Sequence, residues 1–199
     1  MAIEFQYNKT SLQGLEKQLK VRERALPTLK NKESALRIEV KKAKDRAAEL
    51  DNELELRMKK YDDMAKLWGE FDTQLVAIKD VSLSYRKLAG VLTPILDKID
   101  FEIGEIAPYL APLWITDGIE MVKELAQIAI EREIFITKME MLDHARKKTT
   151  QKVNLYEKVQ IPGYQDAVLK IKRFLEDEEN LSKSAQKIVK SKKEKEAKE

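Results

Sequence analysis

An apolar stripe with a period of three and a half residues is the strongest constraint in this sequence. Alternating steps of three and four from Leu12 to Ile78 pass twenty positions, and seventeen of them carry apolar side chains. The three exceptions are Arg22, Glu33 and Arg57. Helices of globular domains rarely keep this period over about nine heptads, whereas the paired helices of a coiled coil require it. The stripe predicts an N-terminal coiled-coil helix within residues 1–78.

A second, less regular apolar stripe occupies the C-terminal half of the chain. It covers residues 128–156, stops, and resumes over 167–188 displaced by one step. Pro162 and Gly163 lie in the gap, where proline removes a backbone donor and glycine disfavours helix. A displacement of this kind is typical of a stutter, which locally unwinds a supercoil. We predict a continuous helix over 119–190 that is kinked near Pro162; two helices joined by a short turn are the alternative.

The middle of the chain, residues 79–118, follows different patterns. "DVSLSYRK" alternates apolar and polar residues with a period of two, and "LAGVLTPI" follows with Gly90 and Pro94. This pair of segments indicates a small β-hairpin. "FEIGEIAPYLAPLW" combines glycine, prolines and large apolar residues, which favours a compact loop or short helices. Residues 191–199 are rich in lysine and are predicted to be a basic, disordered tail.

These segments together predict a mainly α-helical protein, an all-α fold with one small middle region. Two helices of similar length joined by a compact region fold back most simply as an antiparallel coiled-coil hairpin. Both chain ends would then lie at one tip. Trp68 and Trp114 are expected to pack where the middle region meets the helices.

Composition and motifs exclude most catalytic functions. The chain has no cysteine and one histidine, His144, so thiolate metal sites and disulfides are excluded. No phosphate-binding loop or dinucleotide-binding glycine motif occurs, and we predict no bound nucleotide and no cofactor. The acidic segment 176–180 is interpreted as a solvated helix face rather than a metal site. The lysine-rich end lacks aromatic residues, and no apolar run is long enough for a membrane span. Neither nucleic-acid binding nor membrane insertion is predicted.

The polar exceptions in the stripes suggest how the two helices are aligned. If Leu12 faces Ile188, the numbers of facing residues add up to about 200. This alignment gives two pairs of opposite charge: Arg22 with Glu178, and Arg57 with Asp143. Such pairs fix the register of coiled coils. The alternative is that each side chain packs its stem and extends separately into water.

Four segments, in this order along the chain, resemble the D subunit of the V-type and A-type rotary ATPases. They are "LPTLKNKESAL" (26–36), "AGVLTPIL" (89–96), "KVNLYEKVQIPGY" (152–164) and the acidic "LEDEEN" (175–180) with its lysine-rich continuation. The third is the most distinctive, because it is similar to the family's Arg-Val-Asn-Ala-Leu-Glu followed by Ile-Pro. The sequence departs from the family pattern at Gly163, where arginine is expected. It also departs at Glu33–Ser34, where Arg–Asp is usual, and at Pro27 inside a helix that the family keeps unbroken.

The resemblance implies a non-catalytic component, the central-stalk rotor shaft of a rotary ATPase or ATP synthase. Its terminal tip would stand inside the ring of catalytic and non-catalytic subunits, with Lys183, Lys187 and Lys190 as tip contacts. The rest would bind the small F subunit of the stalk and the socket subunit above the membrane ring. The complex would be cytoplasmic and peripheral to the membrane. The alternative functions are a free-standing coiled-coil scaffold or tether and, less well supported, an enzyme's coiled-coil arm or a nucleic-acid clamp.

Overall fold

The computed structural model describes residues 3–104, 112 and 114–196, except for the side chains of 63, 65–66 and 194–196. Four α-helices and two strands make up the described chain: α1 (Lys9–Tyr61), α2 (Ala65–Trp68), β1 (Val76–Leu88), β2 (Val91–Ile103), α3 (Trp114–Leu155) and α4 (Ile161–Glu196). Single 3₁₀ turns span Asp62–Met64 and Thr73–Leu75, and a π-helical turn spans Tyr156–Gln160. The prediction of a mainly α-helical protein with a small β-hairpin is confirmed.

The chain divides into two compact units. The first unit contains the residues up to Asn31 together with those from Thr149 onward, and the second contains Lys32–Lys148. α1 therefore contributes to both units, as does the helical chain that begins with α3. Each unit holds a pair of helix segments, and the second unit also holds the β-hairpin.

The first unit has an apolar core between the start of α1 and α4. Its buried side chains are Leu15, Tyr164, Ala167, Val168 and Ile171. The N-terminal segment packs against this core through Ile3 and Phe5, and the ring of Tyr7 lies 4.8 Å from that of Phe174. Asn8 caps α1, because its side-chain oxygen accepts a hydrogen bond of 2.7 Å from the backbone N–H of Ser11. Neither the cap nor the packing of the N-terminal segment was predicted from the sequence.

The chain stays helical from α3 into α4, with no loop between them. The π-helical turn joins them, and the N–H of Ile161 bonds to the carbonyl of Tyr156, five residues back. The chain is therefore helical on both sides of Pro162 and through it. The π-helical turn contains one residue more than an α-helical turn, and this extra residue accommodates the change of phase. The turn lies just before Pro162, whose ring would crowd the preceding turn of a regular α-helix.

In the second unit α1 ends at Tyr61, seventeen residues before the predicted limit at 78. The apolar residues of the stripe beyond Tyr61 lie in the two 3₁₀ turns, in α2, in the loop that follows α2, and in β1. Trp68 and Phe71 have ring centroids 5.4 Å apart, and those of Trp68 and Trp114 are 6.0 Å apart. The two tryptophans thus pack together, as expected. Aromatic packing and the β-branched residues that follow override the helical spacing of the sequence.

The β-hairpin is longer than the sequence indicated, with thirteen residues in each strand. Its two-residue turn, Ala89–Gly90, has positive φ at both positions, 48° and 85°. These angles match a turn whose twist suits antiparallel strands, and the glycine adopts them at little cost. The pairing register shifts twice, between Ile78 and Asp80 and between Ser82 and Leu83. Thr93 in β2 is fully buried, and its hydroxyl donates a hydrogen bond to the carbonyl of Arg86.

Two further predicted boundaries are corrected. Of residues 191–199, predicted to be a disordered tail, 191–196 continue α4 as helix, and 197–199 lie outside the described residues. Lysine and glutamate are good helix formers and alternate there, so the segment does not break the helix. α3 begins at Trp114 rather than near 119. Most of the predicted loop or short helices, at 105–111 and 113, lies outside the described residues.

Candidate functional site: charged faces of the paired helices

In the first unit, polar side chains connect α1 to the opposing helix. Lys172 bonds to Glu16 at 2.8 Å and lowers the pKa of that carboxyl below its ordinary value. Lys30 bonds to Glu157 of the π-helical turn at 2.7 Å. The Tyr164 hydroxyl donates to the side-chain oxygen of Gln18 at 2.6 Å. The residue numbers fall on one helix as they rise on the other, so the two helices run antiparallel within this unit.

Arg22 has different partners from the one predicted. Its Nε donates to the side-chain oxygen of Gln160 at 2.7 Å, and its guanidinium lies 4.4 Å from the centroid of the Tyr164 ring. The predicted pair of Arg22 with Glu178 is therefore wrong. Glu178 is exposed on α4. Sequence reasoning missed Gln160 because it lies outside both apolar stripes, in the turn where the phase changes.

In the second unit, ion pairs connect α1 to α3. Arg132 bonds to Asp51 at 2.7 Å, and Arg46 reaches Glu131 at 3.3 Å while it also binds Glu49 of its own helix. The hydrogen bonds from Arg46 to Glu49 and Glu131 raise its pKa above the ordinary value. The buried apolar side chains of α1 and α3 in this unit are Leu36, Ala43, Ala47, Leu50, Ile119, Ile128 and Leu142.

The second predicted pair, Arg57 with Asp143, is also wrong. Arg57 bonds to Glu124 on α3 and to Glu53 of α1. Asp143 bonds to Lys147 and Arg146 of its own helix, and these hydrogen bonds lower the pKa of its carboxyl. Its charge is therefore neutralised within α3.

Both errors have one cause, the length of α1. The numbers of cross-helix partners add up to between 177 (Arg46 with Glu131) and 188 (Glu16 with Lys172), not 200. The predicted register assumed that α1 continues to residue 78. Because α1 ends at Tyr61 instead of 78, a given residue of α1 lies opposite a residue of the other helix about seventeen positions earlier than the one predicted.

The predicted tip residues lie on a part of α4 that has no partner helix among the described residues. The side chains of residues 176–193 are all exposed, including Lys187, Lys190 and the apolar Leu181 and Ile188. Lys183 bonds to Glu179 one turn earlier, and this hydrogen bond lowers the pKa of Glu179. The segment is thus a single helix with an uncovered apolar stripe and a basic flank.

Within the described residues, no group of three or more acidic, histidine or cysteine side chains could hold a metal ion. His144 is exposed on α3, and every residue of the acidic segment 176–180 is exposed on α4. The searched helices include none that is both long and apolar enough to cross a membrane. The features that can act on other molecules are the charged helix faces, the hairpin and the uncovered end of α4.

Comparison with known proteins gives a consistent result. The family model for the D subunit of ATP synthase matches residues 11–191. The chain is 30% identical over 186 residues to the V-type ATP synthase D subunit of Borreliella burgdorferi, covering 92% of each chain. It is 27% identical to the protein of that name from Chlamydia pneumoniae, covering 89% of this chain and 87% of the relative. With the Chlamydia muridarum protein of that name it shares 27% identity, over 96% and 97%. The chain belongs to the family of ATP synthase D subunits.

Proposed function

We propose that this chain is the central-stalk rotor shaft of a V-type ATPase or ATP synthase, a component without catalytic activity of its own. In this function it transmits rotation between the ring of catalytic and non-catalytic subunits and the membrane ring that translocates ions. The observation that carries the proposal is that each compact unit is a pair of long helices joined by both apolar contacts and ion pairs. Such pairing keeps the two helices together under torque, which a shaft requires, and places charged side chains along the helix faces.

The charged faces of the paired helix segments suit contacts that form and break during rotation. Large apolar patches would bind one partner persistently. The partners in this proposal are the subunits of the ATPase hexamer at the α4 end, the F subunit of the stalk, and the socket subunit above the membrane ring. The chain would be held at the cytoplasmic face of the membrane through these partners.

Affinity purification of the tagged full-length chain from its native cells tests the proposal. We expect the catalytic and non-catalytic ATPase subunits and the F subunit to be recovered in fixed proportions. Recovery of the chain without ATPase subunits would contradict the rotor function and support the free-standing scaffold. Purified chain alone should not hydrolyse ATP, and measurable hydrolysis would also contradict the proposal.

A further inference from the structure

Both helices of the first unit have a gap in their backbone hydrogen bonds. Pro27 lies inside α1 and cannot donate to the carbonyl of Glu23. In the opposing helix, Pro162 lies two residues after the end of the π-helical turn Tyr156–Gln160 and also has no N–H to donate. π-helical turns and prolines are the usual sites at which long helices bend.

Cross-helix contacts place these two gaps opposite each other. Arg22, just over one turn before Pro27, bonds to Gln160, the last residue of the π-helical turn. Lys30, about one turn after Pro27, bonds to Glu157 near the start of that turn. Pro27 therefore lies at the level of the π-helical turn, between two polar contacts.

At the same level, neither helix of the pair has a fully buried side chain. α1 has no buried residue between Leu15 and Leu36, and the opposing helix has none between Val153 and Tyr164. Segments with few buried apolar contacts and incomplete backbone hydrogen bonding open at a lower free energy than their surroundings. Weak packing, missing donors and a widened turn thus coincide at one level of the two helices.

We propose that residues 22–30 of α1 and 156–163 of the opposing helix form a compliant joint. Under torque each helix yields at this level, while the contacts of Arg22 with Gln160 and of Lys30 with Glu157 limit the change of register. The inference rests on the proposed rotor function, because a shaft is the part on which torque acts. A joint of this kind stores twist between the steps of catalysis and returns it without separating the helices.

Hydrogen exchange of the full-length chain tests the joint without any partner. We expect amides in 22–31 and 156–164 to exchange about tenfold faster than those in the flanking segments 9–19 and 165–175 of the same unit. Equal protection in all four segments would overturn the joint. That result would leave the rotor proposal intact, since affinity purification tests the rotor separately.

A stiffened variant tests the role of the joint in the assembled complex. It combines deletion of Lys158, which removes the extra residue of the π-helical turn, with Pro27→Ala and Pro162→Ala. We expect slower exchange in both segments and ATP hydrolysis several-fold slower than in complexes carrying Gly14→Ala, a matched helix-stabilising control outside the joint. Pro27→Ala alone should give a smaller effect in the same direction. Slowed exchange with an unchanged rate of hydrolysis would overturn the role in rotation.

Discussion

At the scale of single residues, the polar positions within the apolar stripes have specific partners. Arg22 packs on the ring of Tyr164 and bonds to Gln160, so its charge is stabilised by an aromatic face and an amide rather than by a carboxylate. A planar guanidinium can stack on the ring and donate to the amide at the same time. The residue type at this position follows from the geometry of the opposing helix.

Exchanging charges between Arg22 and Glu178 tests the corrected register. We expect Arg22→Glu to lower the free energy of unfolding by about 1–3 kcal/mol, because it loses the bond to Gln160 and the ring contact. Adding Glu178→Arg should restore nothing, and Glu178→Ala alone should change stability by less than about 0.5 kcal/mol. Chemical denaturation measures all three. Recovery of stability in the double variant would support the original pairing instead.

The ion pair of Glu16 with Lys172 makes a small contribution that depends on pH. The hydrogen bond from Lys172 lowers the folded-state pKa of Glu16 below its ordinary value of 4.5. The pair therefore stabilises the fold above pH 4.5, and this contribution disappears as pH falls through the folded pKa. Because the two side chains are 35% and 49% exposed, we expect it to be about 0.2–1 kcal/mol.

Glu16→Gln should remove that contribution at pH 7 and cost less stability at pH 3, because protonation of Glu16 weakens the pair as pH falls. Denaturant titrations at the two pH values measure the difference, with Lys170→Gln as the control, since Lys170 pairs with Asp166 of its own helix. An equal loss of stability for Glu16→Gln at both pH values would contradict the titration of Glu16.

At the scale of secondary-structure elements, an aromatic cluster packs the segment between α1 and the hairpin against the start of α3. Trp68, Phe71 and Trp114 pack together, and Gly118 lies beneath them on α3. A Cβ atom at Gly118 would lie 3.1 Å from the Trp114 ring and 3.2 Å from the Phe71 ring. The lack of a side chain at this position thus permits the rings to approach the helix.

Gly118→Ala tests the importance of this close packing. We expect a loss of about 1–3 kcal/mol, because two packed rings must move. Gly14→Ala is the matched control: it also lies in a helix, but the added Cβ would meet nothing within 4 Å. That change should stabilise the protein by up to about 1 kcal/mol through helix propensity. Thermal unfolding followed by tryptophan fluorescence compares the two, and stabilisation by Gly118→Ala would contradict the packing.

At the scale of the whole molecule, stability and assembly depend on different parts of the chain. The buried residues lie in the paired helix segments and the hairpin, whereas residues 176–193 of α4 are exposed. An exposed helix with an apolar stripe contributes little to folding and presents a surface to partners. In the proposed rotor, this end enters the ATPase hexamer.

Truncation before Lys183 should separate the two properties. We expect the midpoint of thermal unfolding to change by less than about 2 °C, because no buried side chain is removed from the described part of α4. In the reconstituted ATPase, the truncated chain should still bind the F subunit while ATP-driven ion transport falls relative to hydrolysis. Substituting Lys183, Lys187 and Lys190 with glutamine in the full-length chain separates charge from helix length. Loss of binding to the F subunit on truncation would contradict this division.

The sequence by itself determined the long helices, the hairpin and the family, because each depends on local periodicity or on motifs in a fixed order. The helix continues past Pro162 because the apolar stripe resumes on the other side. The register was decided only by tertiary structure. It depends on where α1 ends, and α1 ends at Tyr61 because Trp68 and Phe71 pack with a residue more than forty positions away, Trp114. A 3.5-residue period repeats along the chain, so it specifies which face is buried but not which residue of the other helix lies opposite.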